Sequence, residues 1–139
     1  MKGFLLDTNV ISELVKPAPN RNVVEFLATM DSAWLSIISL HELTYGIELL
    51  PKSKRRVELE EKLQQLLSEY GDWIIPIDQS EANQAALFRV QAKNHGRVIH
   101  LADALIAGTA KIHNLSVVTR NVDDFLGVDI EVVNPWNQA

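Results

Sequence analysis

The chain has no cysteine among its 139 residues. That excludes a disulfide framework, thiolate-ligated zinc, iron–sulfur ligation and a thiol nucleophile. No apolar run reaches the roughly 18 residues needed to span a bilayer. The opening stretch Met1-Lys2-Gly3-Phe4-Leu5-Leu6-Asp7 places an acid too early for a secretory signal. The expectation is a soluble, cytoplasmic protein with no membrane partner. No repeat, low-complexity tract or Gly/Ser linker divides the chain, so residues 1–139 read as a single domain. Cationic charge is also scarce: 13 Lys+Arg face 18 Asp+Glu, a net charge of −5. Taken alone, this argues against a nucleic-acid partner, because phosphate binding usually shows as a basic balance. Where the acids fall decides whether that objection holds.

Short apolar runs alternate with helical patterns. Gly3–Leu6 is a buried strand that stops at the capping types Asp7-Thr8-Asn9. Val10, Ile11, Leu14 and Val15 give helical spacing up to Pro17, and Asn20 can cap a second helix. Ala33–Ile38 is a second strand. Ser39 can cap the next helix, with Glu42 at capping-box spacing. Residues 54–70 form an amphipathic helix with Leu59, Leu63, Leu66 and Leu67 on one face. Trp73–Ile77 is a third strand, followed by a helix from Asp78 or Ser80 to about Asn94. Leu101–His113 is a helix apolar nearly all round, which implies burial, and Asn114 can stop it. Ser116–Thr119 and Glu131–Val133 complete the strands. This alternation implies an α/β three-layer sandwich with a short, mainly parallel central sheet.

In such sheets, ligands bind beyond the carboxyl ends of the strands. Four acids fall at those ends or at helix starts beside them. Asp7 follows the first strand, Glu42 the second, and Asp124 follows the fourth strand and its loop. Asp103 opens the apolar helix, on a stripe with Ile106, Ala107 and Ala110. An acid on such a stripe is costly to desolvate unless paired or bound to a cation. Each acid also has a purely structural reading. Asp7 can cap a helix, Glu42 can partner Ser39, Asp103 can favour a positive helix end, and Asp124 can be a loop acid. Their joint convergence on one sheet edge argues for more. Clustered carboxylates repel and need a cation or protons. Oxygen ligands suit Mg²⁺, with Mn²⁺ able to substitute, and such a site hydrolyses phosphodiesters.

The residues resemble those of the PIN-domain ribonucleases, in particular the VapC- and FitB-like toxins of toxin–antitoxin pairs. The matching pieces are F-L-L-D-T-N-V-I-S-E-L at 4–14, S-L-H-E-L-x-Y-G-I at 39–47, L-A-D-A-L-I-A-G-T-A at 101–110, V-V-T-R-N-V-D-D-F at 117–125 and V-N-P-W at 133–136. The resemblance implies a PIN-like fold and metal-bound acids at Asp7, Glu42 and Asp103. Many such domains carry an acid where this chain has Asn121, and the T-R-N subgroup carries one three residues on, here Asp124. That leaves Asn121 to orient a metal-bound water and Asp124 to complete the catalytic set, with Thr8, Asn9 and Thr119 supporting. The resemblance further implies Mg²⁺-dependent endoribonuclease action on tRNA or ribosomal RNA, a homodimer, and a cognate antitoxin that covers the acidic groove.

Arg120 beside the proposed site, and Lys52 and Arg55 in the densest basic run, are candidate RNA contacts, although Lys54, Arg55 and Glu58 can equally make exposed helix pairs. Trp34, Trp73 and Trp136 can stack on bases but suit core or rim packing better. His41 and His100 flank Glu42 and Asp103, and an oxygen-rich site needs neither. Two other readings stay open. One is a phosphatase or haloacid-type hydrolase with Asp7 as nucleophile, although that chemistry expects an acid at position 9, which is Asn. The other is a non-catalytic α/β interaction module. Setting the four acids aside leaves 13 cationic against 14 acidic side chains, so much of the net negative charge is the proposed site.

Overall fold

The computed structural model describes residues 3–137, so the outer limits of the expected domain, at 1 and 139, lie outside that range. Among the described residues, five short strands form one sheet: β1 (Gly3–Leu6), β2 (Ala33–Ser36), β3 (Ile74–Ile75), β4 (Leu115–Val118) and β5 (Val132–Val133). The order is β3-β2-β1-β4-β5, and every neighbouring pair is parallel. β1 is central, with Leu5 opposite Trp34 on one side and Val117 on the other. Around the sheet lie α1 (Thr8–Leu14), α2 (Arg21–Ala28), α3 (Ile37–Glu48), α4 (Lys54–Tyr70), α5 (Gln79–Asn94) and α6 (Leu101–His113).

A fully parallel sheet must be covered on both faces, and here the alternating strand residues are. Leu6, Leu35 and Val118 pack with Val10, Ile11, Val23, Leu43, Ile47 and Leu63, from α1 to α4. Leu5, Leu115 and Val117 pack with Phe88, Ile106, Ala107 and Ala110, from α5 and α6. The three-layer α/β expectation is met. Gly108 lets α6 approach α5 at backbone distance: a Cβ there would stand 2.7 Å from the Glu81 carbonyl oxygen and 2.9 Å from the Ala85 nitrogen. α6 is buried along Ala104 and Ile106–Ala110, but Leu101 and Ile112 are exposed, so it is not covered all round. It stops at Asn114, whose φ of 54° is left-handed.

Four local expectations are corrected. β2 ends at Ser36 rather than Ile38, because the Ser36 hydroxyl accepts the Ile38 backbone N–H at 3.1 Å and caps α3. Ser39 is buried inside α3, so the Ser39–Glu42 capping box does not form. A capping box does form at Asp78 and Glu81, starting α5. β3 is only two residues long; Gly71–Trp73 is a 3₁₀ turn, and Trp73 packs edge-on against Trp34 at 4.6 Å. In the basic run, Arg56 makes the ion pairs, with Glu48 and Glu60, rather than Lys54 and Arg55 with Glu58. Among the described residues, no helix is long and apolar enough to cross a membrane.

Candidate active site

The chain runs outward from β1 through β2 to β3 on one side, then resumes with β4 and β5 on the other. The crevice of such a sheet lies at this reversal, beyond the carboxyl ends of β1 and β4. Asp7 directly follows β1 and Thr119 directly follows β4. The Asp7 backbone N–H donates to the Val118 carbonyl at 2.9 Å, holding the two strand ends together.

Asp7 caps α1 by accepting the Thr8 N–H at 2.8 Å, so its structural reading is correct as far as it goes. A cap does not explain the rest of its surroundings. Asp7 is 5% exposed. Its Oδ2 also accepts the Thr119 hydroxyl at 2.8 Å and the Asn9 amide at 3.2 Å. The Thr119 oxygen in turn accepts the Asn121 N–H at 3.0 Å and the Asn9 amide at 3.1 Å, which uses its one proton and both lone pairs. The Asn9 carbonyl oxygen accepts the Arg120 backbone N–H at 2.9 Å. One amide thus stitches the β1 end to the β4 end.

Glu42 enters from α3, accepting the Thr8 hydroxyl at 2.5 Å; the same hydroxyl lies 3.2 Å from the buried Ser39 hydroxyl. Asp103 enters from the first turn of α6, in the opposite layer. Asp124 enters from the 3₁₀ turn Val122–Phe125 and is exposed, as is Asn121. Burial pushes the Asp7 carboxyl above its ordinary range, against the hydrogen bonds from Thr119 and Thr8, and the charges of Glu42 and Asp124 push it further. Asp103 is pushed up to about 6, by burial first and then by Asp7, Asp124 and Glu42, with a small offset from His100. The four acids therefore share one field, although they come from both layers and from separate stretches of chain.

This donor set is all oxygen, which suits a hard divalent cation. Among the described residues, no three acidic or imidazole side chains converge tightly enough to hold an ion as they stand. His100 is the exposed cap residue of α6, and His41 stacks on Tyr45 along α3. A shallow groove of about 410 Å³ opens beside Glu42, between Ile38, His41 and Tyr45 of α3 and Leu101 and Leu105 of α6.

Eight of the residues named from sequence meet at this crevice: Asp7, Thr8, Asn9, Glu42, Asp103, Thr119, Asn121 and Asp124. Arg120 stands at its rim, stacked over the Trp136 ring at 5.0 Å. Lys52 and Arg55 do not join it. Lys52 lies in the bend before α4 and Arg55 in its first turn, both exposed, next to the Arg56 that pairs with Glu48 at the far end of α3. Sequence spacing does not reveal Ser39 as a neighbour of Thr8, nor the Arg120–Trp136 contact. Only the pairing of β4 with β5 brings positions 120 and 136 together.

A parallel sheet of this order, with acids gathered at its reversal, is the architecture of a nuclease-type α/β domain. Residues 4–131 match the PIN domain, and the chain belongs to that family. Within it, the chain is 43% identical to the toxin FitB of Neisseria gonorrhoeae over 137 residues, covering 96% of this chain and 99% of that one. It is 36% identical to a VapC ribonuclease of Sinorhizobium fredii over 139 residues, covering 98% and 99%. The crystal structure of FitAcB from Neisseria gonorrhoeae superposes with a TM-score of 0.89 at 42% identity, covering 96% of this chain and 99% of that one.

Proposed function

We propose that this protein is a metal-dependent endoribonuclease that acts as the toxin of a toxin–antitoxin pair and is inhibited by its cognate antitoxin. The observation that carries this reading is the buried Asp7 at the sheet reversal, which shares its field with Glu42, Asp103 and Asp124. The names of the Neisseria toxin and the Sinorhizobium ribonuclease support it. Asp7, Asp103 and Glu42 would hold a divalent ion, Mg²⁺ with Mn²⁺ as substitute, and Asp124 would complete the acidic set. When bound, such an ion neutralises charge on phosphoryl oxygens and acidifies an attacking water.

The chain's own residues do the positioning. Thr119, Asn9 and Thr8 fix the Asp7 carboxylate in one orientation, and Thr8 does the same for Glu42. Asn121 has an exposed side chain beside the cluster, free of a capping bond, and would orient the attacking water. The substrate is an RNA of the tRNA or ribosomal class, the working form is a homodimer, and the site of action is the cytoplasm. A haloacid-type reading fits less well. Position 9 supplies an amide that braces Asp7 rather than a second acid.

The test is RNA cleavage by purified Asp7→Asn and Asp103→Asn variants, with folding checked by circular dichroism. Loss of cleavage with fold retained is expected. An active Asp103→Asn protein would overturn the reading.

A further inference from the structure

The cleft confronts an RNA strand with like charge, so a cation beside it has work to do. Arg120 is a cation at its rim. Lys16, Arg21, Arg56 and Lys111 each pair with a carboxylate, whereas no ion pair engages Arg120 among the described residues. The Arg120 charge reaches Glu13, but that carboxylate already accepts Lys16 at 2.9 Å and the Asn20 N–H at 2.8 Å. Arg97, near the Asp123–Asp124 turn, is tied instead to the Asp123 carbonyl at 3.1 Å.

The Arg120 guanidinium is not left to roam. It lies over the Trp136 indole at 5.0 Å. A single side chain, Asn134, grips both partners: its oxygen accepts the Trp136 N–H at 2.9 Å and its amide donates to the Arg120 carbonyl at 3.4 Å. Asn22 of α2 donates to the Trp136 carbonyl at 3.0 Å from the other side. Asn9 ties the Arg120 backbone to the network that holds Asp7. The pair is therefore registered to Asp7 through one amide. A guanidinium held over a ring loses little freedom on binding and still presents N–H groups to phosphate oxygens.

We infer that Arg120, held by Trp136, anchors a phosphate of the RNA strand next to the one that is cut. This rests on the ribonuclease reading above and adds a residue pair that fixes where the strand lies. Phosphate suits an unpaired guanidinium, whereas a protein that neutralises the four acids must be cationic and is repelled by it. Trp136 acts through Arg120 as a positioning residue.

The test measures binding of a short single-stranded oligoribonucleotide to the Asp7→Asn protein, and to Asp103→Asn as a second background, across a salt series. Arg120→Ala is expected to weaken binding about tenfold, as loss of a charge-assisted contact does. It should also reduce the slope of log affinity against log salt by about 0.7, the value for one single-strand phosphate. Arg120→Lys should restore the slope but only part of the affinity. Trp136→Leu should weaken binding severalfold at unchanged slope, with Trp136→Phe intermediate. In the active protein, Arg120→Ala should raise KM more than it lowers kcat. If the parent binds RNA and Arg120→Ala leaves affinity and slope unchanged, the anchor is wrong and the ribonuclease reading stands. The anchor is equally wrong if Arg120→Ala loses only antitoxin binding. If neither inactive background binds RNA and the wild-type protein does not cleave it, both fail together.

Discussion

The two ends of α6 hold carboxylates in opposite electrical surroundings. At the amino end, Asp103 faces Asp7, Glu42 and Asp124, and it is pushed up to about 6. At the carboxyl end, His113 meets Glu81 of α5 at 3.0 Å. Glu81 is 3% exposed, and burial acts to raise it, yet its carboxyl stays below the ordinary range. Its own backbone N–H, the Ser80 hydroxyl, the Asp78 N–H and His113 together outweigh the burial. Burial is common to both ends; the supply of donors is not. An acid met by donors holds the fold together. An acid held among other acids is a burden that a function accounts for.

That contrast can be broken most directly by activity. Asp7→Asn or Asp103→Asn should lower RNA cleavage by about a thousandfold or more, since metal-assisted charge stabilisation contributes several kcal/mol. Glu81→Gln, at the other end, should leave cleavage per folded molecule nearly unchanged. Next in size is metal linkage, read by thermal unfolding. Mn²⁺ at about 100 times its Kd should stabilise the protein by about 2.7 kcal/mol. Asp103→Asn should lose that gain and Glu81→Gln should keep it. Third, Glu81→Ala should cost about 2 kcal/mol in urea unfolding, because it removes the capping box and strands several donors.

The smallest effect has the opposite sign. Asp103 binds its proton more tightly folded than unfolded, so its charge costs stability in full above a pH of about 6, and that cost declines as the pH falls from about 6 to the ordinary value of 3.8. Asp103 is half-buried, so solvent screens part of the cost. Asp103→Asn should therefore stabilise the metal-free protein by only about 1 kcal/mol at pH 7.5, with the gain shrinking as the pH falls below about 6 and vanishing only below the ordinary aspartate value of 3.8. Glu81 behaves conversely. Its stabilisation is present above the ordinary glutamate value and is lost as the pH falls through its depressed one. A wild-type Tm that is flat above about pH 6, rises as the pH falls from about 6 toward 4.5, and falls below about 4 would display both ends in one curve.

The amino end of this contrast is legible in the sequence. Four acids placed after strands or at helix starts are enough to bring them to one edge of a parallel sheet. Position along the chain sets topology, and topology sets the crevice. Local chemistry is harder to read. Ile37 and Ile38 extend the apolar run of β2, and nothing in hydrophobic pattern says that the Ser36 hydroxyl turns the chain into a helix two residues early. Glu42 follows Ser39 at capping spacing, yet the hydroxyl it takes belongs to Thr8, 34 positions away in sequence. The Glu81 capping box escapes notice although its spacing is equally plain, because Ser80 and Asp78 both look able to begin α5. Spacing proposes partners, and tertiary packing chooses between them.

Gly108 has a mechanical consequence. With α5 and α6 in backbone contact at that point, the two helices cannot slide past one another. Asp103 lies five residues away, an arm of about 7.5 Å along the helix axis. A tilt of about 8° about the crossing would carry Asp103 through roughly 1 Å on that arm. The two helices then pivot, if at all, at the glycine, and the acid on that arm is placed by the crossing. A larger residue at 108 would shift the fulcrum and misplace the acid without touching it.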